Sequence, residues 1–223
     1  MPQTLLIESH YLPCLEYFVL LEKYPNIILE QHEYYQKQSY RNRTHILTAT
    51  GVQALTVPIK NANGKHFFRD TLIDDSVSSD NWKKKHWKAI STAYGKAPYF
   101  MYFADDFREI YENQTKKYKF LLDLNNDLMT ICQKFLQKKY KITTSDSYLK
   151  SEEITEINQQ NQKNNQKDSI TDVRGLIHPK KDWKENHFYK EIPYMQNFGN
   201  TFEPNLSIID VLFCQGKQAV TYL

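Results

Sequence analysis

Two arginines two positions apart, Arg41 and Arg43, form the sharpest chemical pattern in the chain. If Arg41-Asn42-Arg43-Thr44 runs into a strand at His45, side chains at i and i+2 share a face. Two guanidiniums on one face, with Asn42 between them, can hold a phosphate or carboxylate through paired N–H bonds. The competing reading is an exposed basic strand end or a set of internal salt bridges. His86 stands in Lys83-Lys84-Lys85-His86-Trp87-Lys88. Burial and nearby positive charge both disfavour a charged imidazole, which leaves a neutral ring able to take a proton; the plainer alternative is a core histidine with satisfied hydrogen bonds. Asp74, followed by Asp75, comes after an apparent strand and is placed either as a general base or metal ligand or as an ordinary turn acid. His10 and Tyr11 follow the first strand, at the carboxyl edge where α/β sheets bind ligands. Cys14 reads as a small buried residue, since no histidine is spaced to pair with it.

These residues need a scaffold. Leu5-Leu6-Ile7 reads as a short buried strand, and Leu12-Pro13-Cys14 as a turn into a helix that Tyr24-Pro25 stops. Ile27-Ile28-Leu29 is a second strand, and Glu33 to Ser39 a short helix or irregular loop. His45 to Thr50 and Val52 to Ile59 form a hairpin at Gly51, with a turn at Asn61 to Gly64 and an extended segment from Phe67 to Ile73. Ser79 or Asp80 is placed to cap a helix through Trp82, His86 and Ile90 that Gly95 and Pro98 end. A second helix is expected from Asp105-Asp106, two acids suited to its N-terminal dipole, and a third carries Phe120 to Leu136 at helical spacing.

Residues 143–174 stand apart, because eight of the nine from Asn158 to Gln166 are Asn or Gln. Such a tract cannot bury a core, so a flexible polar insertion is expected there. Order returns in the aromatic-rich Tyr189 to Phe202 and the apolar Leu206 to Phe213. The expected fold class is α/β (or α+β): an N-terminal small β-sheet with helix, then a mainly helical C-terminal half, in one domain over 1–223.

Composition narrows the function classes. With 223 residues, 40 % of them hydrophobic, wholesale disorder is excluded. No run is apolar enough to span a bilayer. Nothing before Pro25 has the form of a signal peptide, and the odd, scattered cysteines Cys14, Cys132 and Cys214 suit reduced thiols, so a cytoplasmic protein is expected. No metal-ligand spacing and no common cofactor motif is present, so no metal is expected and no cofactor is named. Residues 81–150 hold 14 Lys/Arg against 7 Asp/Glu, while the remainder holds 15 against 19. A basic region can hold an anionic ligand or nucleic acid, although on a helix these lysines spread round the surface while Trp82, His86 and Ile90 share the inner face.

Several segments, in order, are similar to the WbqC-like family: Tyr11-Leu12-Pro13, Tyr40-Arg41-Asn42-Arg43-Thr44, Leu55-Thr56-Val57-Pro58-Ile59, His86-Trp87-Lys88-Ala89-Ile90, Tyr94-Gly95-Lys96-Ala97-Pro98-Tyr99-Phe100, and Asn205 to Phe213. The 143–174 tract lies outside this match. The resemblance implies a bacterial protein of surface-polysaccharide (O-antigen-type) biosynthesis. It is compatible with a transferase that adds an aminoacyl or acyl group to an amino sugar or nucleotide sugar. An anionic small molecule such as a nucleotide sugar is then the expected partner. Arg41 and Arg43 would hold it, His86 or Asp74 would deprotonate the acceptor, and Lys96 and Tyr99 would lie near the donor. The chain departs from the family where relatives carry Gln-Pro; here the stretch reads Glu8-Ser9-His10-Tyr11. An RNA- or tRNA-binding module and a non-catalytic scaffold of a glycan-assembly complex are the alternatives. The oligomeric state is not legible.

Overall fold

A computed structural model describes residues 3–76, 81–113, 115, 117–164 and 168–223. The first strand, β1 (Gln3–Glu8), is buried along its second half. The chain turns at Pro13 into α1 (Leu15–Lys23), which buries Leu15 to Leu21, and Pro25 prevents its continuation into β2 (Asn26–Glu30). Next comes the antiparallel hairpin of β3 (Arg43–Thr48) and β4 (Gly51–Thr56). Gly51 sits at φ +105°, a conformation that favours glycine.

Three helices follow: α2 (Trp82–Tyr94), α3 (Phe100–Glu112) and α4 (Leu121–Leu136). The chain then returns to the sheet through β5 (Ile142–Thr144), α5 (Ser151–Lys163) and β6 (Ser169–Asp172), and closes with α6 (Ile208–Gln215). The main sheet has the order β5-β2-β1-β6, all parallel. The chain leaves β1 toward β2 and β5, then adds β6 on the other side. The boundary between β1 and β6 is therefore a topological switch point, where ligand sites form beyond the carboxyl ends of the strands.

The molecule is α/β, with a small N-terminal sheet and helix followed by a mostly helical C-terminal half. Its helices pack through aromatic rings. Phe103 and Phe107 meet Phe135 at 4.3 and 5.9 Å between centroids, and Phe213 of α6, which is buried from Ile208 to Cys214, meets Phe100 at 5.0 Å. Among the described residues no helix is long and apolar enough to cross a membrane.

Phe67 to Ile73 is not uniformly extended. Phe68–Asp70 makes a 3₁₀ turn that drops Phe68 into the core, its N–H on the Glu33 carbonyl. The helix expected from Asp105 begins at Phe100, because the stripe of Phe100, Phe103 and Phe107 starts there and the Phe100 N–H already bonds the Ala97 carbonyl. Asp105 and Asp106 therefore sit inside the helix. Ser79 and Asp80 lie outside the described residues; the Asn81 side chain accepts from the Lys84 N–H at 3.2 Å and caps α2.

The 143–174 tract differs from the loose insertion its composition suggests. It contains α5, and β6 pairs with β1. The Asn158 amide accepts from the Ile170 N–H at 2.8 Å and donates to its carbonyl at 2.9 Å, while Asn161 donates to the Asp168 carbonyl. Polar side chains here take the place of a further strand along β6, and only Ile154 of α5 is buried.

Candidate functional site

Both inner strands read as three apolar residues followed by a glutamate: Leu5-Leu6-Ile7-Glu8 and Ile27-Ile28-Leu29-Glu30. The apolar triplets bury the strands and carry the two acids with them to the carboxyl edge, where Glu8 and Glu30 are 1 % and 0 % exposed. A buried carboxylate requires partners. Both Glu8 oxygens accept the Gly175 N–H at 3.0 Å, just past β6. His10 Nε2 lies 3.3 Å and Arg41 Nη2 3.7 Å from Glu8 Oε1. Arg41, itself 1 % exposed, donates from Nε and Nη2 to the two oxygens of Glu33, each at 2.7 Å. Glu30 is held by Arg174 Nη1 at 2.9 Å, the Ser145 hydroxyl at 2.8 Å and the His32 N–H at 2.7 Å. Arg174 also grips Asp172 through Nε and Nη2.

The backbone aims these groups. The Tyr11 N–H donates to the Tyr40 carbonyl, which draws the Arg41 segment across the end of β1. Asn125 of α4 donates to the Arg41 carbonyl at 3.0 Å. The His10 ring packs between Tyr17 and Tyr40, with centroids at 4.8 and 5.6 Å.

Burial alone would raise the Glu8 carboxyl. The His10 hydrogen bond and the Arg41 charge outweigh it and bring the group down to about 2. Burial, opposed by Glu8, holds the His10 imidazole below its ordinary value, so it is neutral near pH 7. An ionised carboxylate only accepts, so Nε2 of His10 carries the proton and Nδ1 presents its lone pair. That Nδ1 is buried without a hydrogen-bond partner among the described residues, and so are Arg41 Nη1, Asn42 Oδ1 and Asn125 Oδ1. Buried polar atoms are almost always paired, so this concentration of unpaired ones around Arg41 marks a place built for a further group. His10 and Arg41 face Glu8 through Nε2 and Nη2, while the His10 Nδ1 lone pair and Arg41 Nη1 are left for another partner, a set able to take a proton and to donate to an anionic oxygen.

A cleft of about 160 Å³ borders this cluster, lined by Glu16, Tyr40, His45, His178, Lys181 and Trp183 among others. Tyr40 belongs to both, since its ring also packs on His10. Glu16 accepts from the side-chain amides of Asn186 and Asn205, the latter at 3.0 Å. Burial lowers the His178 imidazole, and the Arg41 charge lowers it further.

The residues singled out in the sequence divide among separate places. His10 and Arg41 come together, with Asn42 next to them donating its amide to the Val57 carbonyl. Arg43 does not share their face; it lies on the partly exposed hairpin, Nε toward the Thr56 hydroxyl at 3.2 Å. The paired grip fails because Arg41 precedes β3, where strand alternation does not apply, and turns inward to Glu33. His86 and Tyr11 meet each other in the aromatic core: the Tyr11 hydroxyl lies 2.8 Å from His86 Nδ1 and 2.5 Å from the Tyr111 hydroxyl. Burial holds His86 at about 4, as a neutral core histidine. Asp74 closes a turn, accepting the Ser76 N–H. Lys96 is exposed, and Tyr99 lies against Gly216. Cys14 caps α1 without a side-chain bond, and burial pushes its thiol up to about 12. Glu8, Glu33, Arg174 and Gly175 were not singled out. The signal for the first was the glutamate ending a buried apolar triplet; the others come from distant loops and carry none.

The profile of the WbqC-like protein family matches residues 8–222. A Mycobacterium tuberculosis (strain ATCC 25618 / H37Rv) protein described as "Uncharacterized protein Rv1507c" is 29 % identical over 235 residues, covering 100 % of this chain and 98 % of that protein. No solved structure matches. The matched span takes in the arginine-bearing turn, the core histidine helix and the sheet returning through β6, and by it the chain belongs to the WbqC-like protein family.

Proposed function

We propose that the chain is a transferase of bacterial surface-polysaccharide synthesis, moving an acyl or aminoacyl group onto an amino sugar or nucleotide sugar. One observation carries the chemistry: His10 Nδ1 and Arg41 Nη1 have no hydrogen-bond partner among the described residues, while Nε2 and Nη2 of the same side chains face Glu8 at the switch point of the sheet. The glycan context comes from the family resemblance. Glu8 fixes the His10 tautomer, the task a carboxylate performs for a catalytic imidazole. The acceptor amine or hydroxyl attacks the acyl carbon of the donor and gives its proton to His10 Nδ1. The new C–N or C–O bond forms, the bond to the donor's leaving group breaks, and the leaving group takes that proton from His10. Arg41 Nη1 holds a phosphate or carboxylate oxygen. His10 thus replaces His86 and Asp74 in the role expected from the sequence.

The test has two parts. Nucleotide sugars should raise the melting temperature of the wild type but not of Arg41→Lys, which keeps the charge and loses the fork. Mass spectrometry of a nucleotide amino sugar incubated with acyl thioester or aminoacyl adenylate donors should show the acylated product. The His10→Asn variant should form it about 10²–10⁴-fold more slowly. If no nucleotide sugar shifts the wild type more than Arg41→Lys, the reading is wrong.

A further inference from the structure

The cleft beside Tyr40 has a chemistry unlike that of the Arg41 cluster. Its acceptor is the Glu16 carboxylate, 2 % exposed and fixed by two asparagine amides. Its cation is Lys181, tied to the Gly175 carbonyl at 2.8 Å. Two imidazoles, His45 and His178, can donate or accept, and Trp183 and Tyr40 supply ring surface. A phosphate here would face Glu16, and a bare ammonium would face Lys181. A hydroxyl both donates and accepts, so several hydroxyls on one ring satisfy this mixed lining without introducing a charge. At roughly 30 Å³ per water the space holds about five waters. That is the bulk of one substituted six-membered ring, well short of the larger pockets that enclose drug-sized ligands.

We propose that this cleft is a subsite for a single neutral, polyhydroxylated ring, seated against Trp183 and hydrogen-bonded to Glu16. It deepens the transferase reading, on which its role as the acceptor subsite rests: Tyr40 both lines the cleft and packs on His10, so the cleft is separated from that histidine by one ring. The subsite itself can be tested independently of transfer.

Trp82 and Trp87 are buried in the core and Trp183 is half-buried, so the Trp183 indole N–H is a local reporter, assigned by its loss in Trp183→Phe. N-acetylglucosamine and myo-inositol, titrated to millimolar concentrations, should move that resonance; inorganic phosphate and methylammonium should not. Glu16→Gln should weaken the neutral-ring affinity by about tenfold or more, as loss of a charged acceptor does. Neutral-ring binding by the wild type while no acyl product forms would sink the transferase reading and keep the subsite. The subsite is overturned if neither neutral ring moves the Trp183 signal of the wild type. It is equally overturned if phosphate or methylammonium moves it as much, or if Glu16→Gln binds as tightly as the wild type.

Discussion

His10 and His86 are both buried and both neutral near pH 7, yet their second nitrogens have different fates. His86 Nδ1 meets the Tyr11 hydroxyl, while the His10 Nδ1 meets nothing among the described residues. The difference distinguishes the two histidines more sharply than the pKa direction, which is downward in both. It also gives a pH signature. Burial lowers the His86 imidazole from its ordinary 6.5 to about 4 in the fold. The unfolded chain therefore takes up this proton first, and the associated stability, present above about 6.5, is lost as pH falls toward 4. The amount is on the order of 3 kcal/mol. His86→Gln should melt below the wild type at pH 7 but show a flatter decline between those pH values in a melting series. Glu8 runs through a lower window. Its pKa is depressed from 4.5 to about 2, so its contribution is present above about 4.5 and disappears as pH falls through 2. The stability gap between wild type and Glu8→Gln should accordingly narrow across that range, and a gap that widened on acidification would contradict the assignment.

At the scale of elements, the sheet's far edge is made by α5 and β6, and Asn158 joins them through both hydrogen-bonding groups of Ile170. Asn158→Ala should destabilise the protein by about 1–3 kcal/mol and raise amide exchange in β6 before it does so in β2. This element also shows what a sequence conceals. Leu5-Leu6-Ile7 and Ile27-Ile28-Leu29 were legible as short unbroken apolar runs, the hairpin by the glycine at its turn, and α4 by an apolar stripe at helical period. Nothing in Asn158 to Gln166 repeats that way. The polar side chains there complete backbone hydrogen bonds, and their partners are set by tertiary position. The same reason hid the site. His10 could be placed at a strand's carboxyl edge by counting, but the turn of Arg41 toward Glu33 rather than alongside Arg43 depends on three loops meeting.

For the whole molecule, Asp210 is the node that joins the helical half to the rest. It is fully buried on α6 and accepts the Tyr94 hydroxyl at 2.8 Å, the Tyr194 hydroxyl at 2.6 Å and the Gln196 amide at 3.0 Å. The Tyr94 hydroxyl in turn accepts the Leu47 N–H of β3, so one carboxyl links α2, α6, the hairpin and the 189–202 segment. Asp210→Ala leaves two buried phenols unpaired and should lower the unfolding free energy by about 3 kcal/mol or more in denaturant titration. Asp210→Asn, which keeps one acceptor, should lose less. The sheet has a temporal corollary. Leu5 pairs with Ile27 on one side and with Thr171 on the other. A ribosome delivers the first partner almost at once and the second only after most of the chain has emerged. Until then the edge of β1 is open, Glu8 lacks the Gly175 amide, and the nascent protein carries His10 in an unfinished setting. Such distant pairing makes for slow folding. The site is thus assembled among the last events of biosynthesis, so a truncated or stalled chain bears His10 and Arg41 without the strand that completes their enclosure.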